Sequence, residues 1–315
     1  MFEPTEDKLP DPITDFTPLL DPEILEFINI SNRIKGAYGP EPTLEQMRRG
    51  FDETCAHFHS GHPAGITVSD STTAGIPTRT YTANASGPVI LYLHGGGFVF
   101  GGLDSHDDIC ADIAAATGLT VIAPDYALSP EARHPQALTD CLAVFDTLPG
   151  PVILAGDSAG ATLAAAITHR RRDRVLAQVL IYPWLGAPRN TRSYARNANA
   201  PILTAAAMRF FHDALVGDTG ATYAPLDDPD FTNLPPTLLT AAEFDPLHDD
   251  ATDYAARLTA ADIPHRLYRD AGLVHGHLRA RHISPRAAGA FRRITDTITA
   301  IARQQPPWNR RPPAL

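Results

Sequence analysis

One short stretch, Ala155-Gly156-Asp157-Ser158-Ala159-Gly160, constrains this chain more than any other. An apolar, β-prone run, Pro151-Val152-Ile153-Leu154, precedes it, and a strong helix former, Ala161-Thr162-Leu163-Ala164-Ala165-Ala166-Ile167, follows. A serine between a strand end and a helix start, with glycines two residues to either side, is what a nucleophile elbow requires. The turn is sharp, and neighbouring backbone must pass where a Cβ would clash. Ser158 also opens the helix, where unpaired N–H groups and the positive dipole end favour a developing oxyanion. A merely structural turn is the competing reading, and the flanking strand and helix weigh against it.

A second glycine cluster supplies what such a serine needs. Tyr92-Leu93-His94-Gly95-Gly96-Gly97-Phe98 follows directly on the apolar run Pro88-Val89-Ile90-Leu91. Three bare glycines at a strand end let backbone N–H groups point into a cleft, where charge builds on a carbonyl oxygen during acyl transfer. The N–H groups of Gly96, Gly97 and Ala159 are the candidate oxyanion donors. No Gly-x-Gly-x-x-Gly or Lys-Ser/Thr pattern accompanies the cluster, which argues against a phosphate loop. His94, placed just before the glycines, reads as fixing this loop rather than as transferring protons.

The base and the acid follow in chain order. Leu238-Leu239-Thr240-Ala241-Ala242-Glu243-Phe244-Asp245-Pro246-Leu247 reads as a buried strand that ends in an acid and a helix-start proline, so Asp245 lies at a strand's carboxyl end. A helix-like stretch runs to Ala261, then a strand-like His265-Arg266-Leu267-Tyr268-Arg269. Next comes a predicted loop, Asp270-Ala271-Gly272-Leu273-Val274-His275-Gly276. The order Ser158, Asp245, His275 is that of α/β-hydrolases. Rivals exist for each partner. Glu243 shares Asp245's face but is expected deeper, whereas Asp249 and Asp250 fall inside the helix as solvated or capping residues. His277 and His282 compete with His275, which is preferred for its position between Gly272 and Gly276.

These residues carry a family resemblance. The chain resembles the hormone-sensitive-lipase-like family of serine esterases, and within it the bacterial acetyl esterase branch. The matching segments are His94-Gly95-Gly96-Gly97-Phe98, Asp125-Tyr126-Ala127-Leu128-Ser129-Pro130-Glu131-Ala132-Arg133 and Ala155 to Ala161. Leu234-Pro235-Pro236, Ala242 to Leu247 and His275 complete the match, which runs over residues 65–300 in the right order. The resemblance implies an α/β-hydrolase fold, a Ser158–His275–Asp245 triad, no cofactor and no metal, and a small cap built partly from the N-terminus. Three positions depart from the family pattern: Ala127 stands where arginine is frequent, Ala161 where glycine is, and His277 where an aromatic usually follows the histidine.

Composition is consistent with that reading. A chain of 315 residues is long enough for one core plus a cap, and it carries 43% hydrophobic residues and a formal net charge of −10. That balance does not suit nucleic acid or anionic membranes. Cys55, Cys110 and Cys141 form no Cys-x-x-Cys pair, and the odd count argues against a disulfide framework or a zinc site. No basic, apolar leader opens the chain and no apolar stretch approaches ~20 residues, so a cytoplasmic location is expected. Lys8 and Lys35 are the only lysines.

The expected fold is therefore α/β, a mostly parallel central sheet flanked by helices with a small helical cap, all within a single domain over 1–315. Residues 1–20 are proline-rich and acidic and are expected to be extended. Helical periodicity over 21–36 and 43–58 precedes strands near 65–70 and 77–82, and an irregular insertion follows Val179-Leu180-Ile181-Tyr182. That insertion holds a polar loop with Asn190, Arg192 and Asn197, and then an apolar helix from Leu203 to Val216. The cap is assigned to about 1–60 and 184–220, with Phe210 and Phe211 read as packing residues. Tyr126, Glu131 and Arg133 are read as structural, and the tail 304–315 as frayed. The function expected is hydrolysis of short-chain acyl esters, acetyl to hexanoyl, of a small-molecule substrate, and a homodimer is compatible with the sequence. Hydrolysis of an amide or thioester, and a non-catalytic receptor on the same fold, are the alternatives, although a receptor of that kind would have lost the histidine.

Overall fold

Apolar strands alternating with helices build one sheet, covered on both faces, whose strand ends converge on the elbow serine. The computed structural model describes residues 9–83, 86–217 and 223–304. Two helices come first, α1 (Pro22–Gly36) and α2 (Leu44–Phe58), followed by the strands β1 (Thr67–Thr73), β2 (Ile76–Thr82) and β3 (Ile90–Leu93). The alternation then runs through α3 (Asp107–Thr117), β4 (Val121–Pro124), α4 (Gln136–Thr147), β5 (Val152–Asp157), α5 (Ala159–Arg170) and β6 (Val175–Ile181). The insertion contributes α6 (Arg192–Arg196) and α7 (Ala205–Val216), and β7 (Thr237–Phe244), α8 (His248–Ala260), β8 (His265–Val274) and α9 (Pro285–Ala302) complete the chain.

The strands lie in the order β1-β2-β4-β3-β5-β6-β7-β8. Among the described residues only the β1–β2 and β2–β4 pairings are antiparallel, so the six strands from β4 to β8 form a parallel sheet. Every residue of β5 is buried, as a central parallel strand covered on both faces demands. One face packs against α4, α5 and α8 through Val144, Phe145, Leu163, Tyr254 and Leu258, and the other against α3 and α9 through Ile109, Ile113, Ile294 and Ile298. A third cluster joins α1 to the end of β8 and the start of α9, through Ile24, Phe27, Leu273, Val274 and Ala287.

Helix boundaries follow local chemistry. Thr43 and Gln46 form a capping box at α2: each side chain bonds the other's backbone N–H, at 3.3 and 2.8 Å. α7 begins two residues later than predicted because Thr204 caps it, accepting from Ala207 N at 3.0 Å. Residues 9–20 contain a 3-10 turn, Thr17–Leu19, while the expectations for residues 1–8 and for the tail from 305 onward lie outside the described residues.

The segment 270–276 differs from expectation. It is not all loop, because β8 continues to Val274. Ala242 pairs with Asp270 and Phe244 with Val274, so two steps on β7 face four on β8. The surplus forms a bulge in which Gly272 has φ +71° and donates its N–H to the Glu243 carboxylate at 2.7 Å.

Candidate active site

Ser158 sits where β5 hands over to α5, in a conformation few residues adopt. Its φ and ψ are +54° and −120°, a strained combination held in place by its surroundings. Its N–H donates to Ile181 O at 2.9 Å, and its carbonyl accepts from Ala161 N at 3.1 Å and Trp184 N at 3.2 Å. The flanking glycines are required by close approach. A Cβ on Gly156 would lie 2.6 Å from the Gly160 carbonyl group, and one on Gly160 would overlap the Leu93 carbonyl oxygen. The turn is thus pressed directly against the end of β3.

The strand ends next to β5 deliver the other two groups. His275 Nε2 lies 2.9 Å from Ser158 Oγ, and its Nδ1 lies 2.6 Å from Asp245 Oδ2. Asp245 Oδ1 accepts from Leu247 N at 2.9 Å, which fixes the carboxylate's rotation. Asp245 and His275 are both buried, and Tyr182 packs against the imidazole at 4.8 Å between ring centres.

The rivals lie elsewhere. Buried His277 donates from Nδ1 to Val274 O at 3.0 Å and turns Nε2 toward Asp270, 3.6 Å away. Burial lowers its pKa despite that carboxylate. His282 is exposed and bonds Asp112 of α3 at 2.8 Å. Glu243 is exposed rather than deep, because the bulge turns it outward to Gly272. Asp250 is not solvated: it is fully buried, accepts from Leu185 N and Gly186 N, both at 2.8 Å, and pairs with Arg189 at 2.9 Å. Burial pushes its pKa up to about 6 against these partners.

The glycine loop lies across the elbow. Gly96 and Gly97 have φ +129° and +64°, and a Cβ on either would strike Phe100 carbonyl or the Phe211 ring. Gly95, Gly96, Gly97, Ser158 and His275 line one cavity, and Ala159, the first residue of α5, follows the serine. His94 is buried and neutral: desolvation pulls its pKa down to about 3. Its Nδ1 bonds Gly95 O at 2.9 Å, and Tyr126 stacks on its ring at 4.2 Å and donates to its carbonyl at 2.6 Å.

The cavity has a volume of about 510 Å³. Its walls are mostly apolar: Phe27, Met47 and Phe51 come from α1 and α2, and Met208, Phe210 and Phe211 from α7. Phe210 and Phe211 therefore face the cavity as well as each other, and Phe211 also packs edge-on to Phe100 at 5.4 Å. α2 is anchored over the site by Arg48, which takes Glu131 with both terminal nitrogens (2.8 and 2.7 Å) and donates to Val99 O and Ser129 O.

Three comparisons meet at this geometry. The profile of the α/β-hydrolase fold matches residues 90–279, from β3 past His275. The chain is 32% identical to the esterase LipI of Mycobacterium tuberculosis, over 90% of this chain and 95% of LipI. A solved esterase of the bacterial hormone-sensitive lipase family superposes with a TM-score of 0.81 at 25% identity, over 90% of this chain and 99% of that one. The chain belongs to the hormone-sensitive-lipase-like family of α/β-hydrolases. It is also 30% identical to the ethyl acetate hydrolase of Pseudomonas putida, over 82% of this chain and 92% of that enzyme.

Three residues of this family member escaped sequence reasoning. Asp157, within the elbow motif itself, accepts from Tyr92 OH at 2.9 Å and Gly95 N at 3.0 Å, with His106 3.2 Å away. It ties the elbow to the glycine loop. Burial alone would raise its pKa, but His106, Arg279 and the Tyr92 hydroxyl outweigh burial and hold the carboxyl well below its ordinary range. Asn197 reaches from beyond α6 to the carbonyls of Glu243 and Asp245. Arg48, described above, is the third. Only Asp157 had a local signal, its place beside the serine; the other two act across 46 or more positions of sequence.

Proposed function

We propose that this carboxylic ester hydrolase cleaves short-chain acyl esters, of roughly two to six acyl carbons, with Ser158 as nucleophile. The observation that carries the reading is the unbroken run Asp245–His275–Ser158, at 2.6 and 2.9 Å, opening onto the cavity beneath α1, α2 and α7.

His275 Nε2 takes the Ser158 proton as Oγ attacks the ester carbonyl, and Asp245 holds the ring and stabilises the imidazolium that forms. The oxyanion is received by the N–H groups of Gly96, Gly97 and Ala159, the last helped by the N-terminal dipole of α5. His275 then protonates the departing alcohol, leaving Ser158 acylated. Water repeats the sequence and returns the free acid. Asp157 and His94 hold the donor loop and take no part in proton transfer. α1, α2 and the 184–220 insertion serve as the cap, and the short-chain preference is supported by the likeness to an ethyl acetate hydrolase.

A p-nitrophenyl ester series of increasing acyl length, run beside amide and thioester analogues, tests the reading. Rates should peak within about two to six carbons and fall steeply beyond about eight. Faster turnover of long-chain triglycerides, or of the amide or thioester, would reject it.

A further inference from the structure

The cavity wall carries two cationic side chains that the acyl-transfer chemistry does not use, Lys35 and Arg279, and they differ in what holds them. Lys35, in the last turn of α1, is a lining residue, and among the described residues its ammonium has no hydrogen-bond or carboxylate partner. Its electrostatic neighbours are the buried Cys55 thiol and the Arg279 guanidinium. Burial lowers its pKa, and repulsion from Arg279 acts in the same direction. Lys35 sits where the two cap helices cross: a Cβ on Gly50 would lie 3.6 Å from its Cα and 3.3 Å from the Tyr38 ring.

Most other polar groups on the wall are already occupied; the buried indole N–H of Trp184 is without a partner among the described residues, but it carries no charge. Ser31 Oγ donates to Phe27 O at 2.7 Å and Thr54 Oγ1 to Gly50 O at 2.7 Å. Tyr38 OH donates to Glu53 at 2.8 Å. Arg279 donates to Ser105 O at 2.6 Å and stacks on Phe51 at 5.1 Å. The one carboxylate among the lining residues, Asp157, is held by Tyr92 and the Gly95 N–H. An unpaired ammonium beside apolar walls is costly to hold and correspondingly strong as a recognition element, because a carboxylate brought to it gains a charge-assisted bond at reduced dielectric.

We infer that the preferred substrates are esters that themselves carry a carboxylate, and that Lys35 recognises that group. The inference rests on the ester-hydrolase reading above. It adds the substrate class: a small ester whose acyl or alcohol part ends in an anion.

Two anionic esters distinguish where the anion sits, monoethyl succinate on the acyl side and acetoxyacetate on the alcohol side, each compared with neutral ethyl butyrate. Lys35→Met should lower the ratio of anionic to neutral kcat/KM about tenfold or more for at least one of them, mainly through KM. Lys35→Arg should restore most of that ratio, and Lys35→Glu should shift preference toward the cationic β-alanine ethyl ester. Calorimetric binding of both anionic esters to the Ser158→Ala protein, with and without Lys35→Met, reads the same contact without turnover. Ratios within about twofold of wild type for both esters in Lys35→Met, with unchanged binding, would overturn the inference. Failure of wild type to hydrolyse ethyl butyrate or either anionic ester would instead overturn the ester-hydrolase reading, and the binding arm would still decide the role of Lys35.

Discussion

Asn197 holds the backbone of Asp245 from outside the sheet. Its Nδ2 donates to Asp245 O at 2.9 Å and to Glu243 O at 3.1 Å. Ser193, one helical turn earlier, adds a bond from its hydroxyl to Pro246 O at 2.6 Å. The insertion between β6 and β7 is thereby strapped to the strand end that presents the acid. Asn197→Ala would remove one bond from each carbonyl, although Asp245 O keeps its bond from His248 N at 3.2 Å, at a cost of about 1 kcal/mol of stability. We expect kcat to fall on the order of tenfold with a smaller change in KM, since the acid's placement and not substrate binding is disturbed. Steady-state kinetics beside thermal unfolding separates the two effects; a lowered Tm with unchanged kcat would make Asn197 purely structural.

Removing the proposed nucleophile should leave the fold intact. Ser158→Ala keeps the Cβ, and with it the backbone strain at φ +54°, and creates no cavity of note, so its melting temperature should stay within a few degrees of wild type. Ester hydrolysis should fall by several orders of magnitude, because one member of a concerted unit is gone. An organophosphonate should label Ser158 and no other serine, which peptide mapping by mass spectrometry reads directly.

The histidines should separate by kind of damage. His275→Ala is expected to abolish turnover nearly as fully as loss of Ser158, with modest loss of stability. His277→Ala opens a void beside Tyr182 and Val274, so it should lower Tm while sparing far more activity. His282→Ala, exposed and paired only with Asp112, should affect neither strongly. A dead but well-folded His277→Ala protein would move the base to that position.

Asp157 links the glycine loop to pH. Its folded pKa lies below the ordinary 3.8, so the ionised carboxylate stabilises the fold at higher pH, and that contribution fades as the pH falls below about 4. Asp157→Asn should therefore flatten the decline of Tm in that acid range. It also loosens the tie to the Gly95 N–H, so kcat at neutral pH should drop by about tenfold or more. Melting curves at stepped pH for both proteins test the first statement, and single-substrate kinetics the second.

Truncation examines the cap. Deleting residues 1–45 removes all of α1 and the start of α2, and with them Phe27, Ser31, Lys35, Tyr38 and Pro42 of the cavity wall. Activity on short esters should fall sharply. Full activity after truncation would exclude these helices from the substrate site.

What the sequence made legible was whatever local chemistry encodes. The Gly156–Gly160 turn, the three glycines after His94 and the buried run before Asp245 each carry their conformation in adjacent residues, and the parallel sheet follows from alternating patterns. The β7–β8 bulge was not readable, because it depends on how two strands 30 positions apart share a register. Burial of Asp250 was missed for a similar reason. Helix periodicity placed it on α8, but only the returning insertion covers it, with Leu185, Gly186 and Arg189 as partners. Asn197 and Arg48 lay in segments that read as polar loop and amphipathic helix, and their roles exist only once distant chain is folded against them.

The cavity walls and the proposed reacting groups are carried on different parts of the molecule. Ser158, Asp245 and His275 ride on the ends of β5, β7 and β8, rooted in a sheet whose residues cannot change without disturbing the core. The apolar lining comes largely from α1, α2 and α7, which belong to no strand and meet the glycine loop through Phe211, beside Gly97, and the segment after it through Arg48 and Val99 O. Variation in those three helices can therefore reshape which molecules enter while the attacking geometry stays as it is. A lineage descended from such a chain has a direct route to new substrates, through mutations that never touch the turn at Ser158.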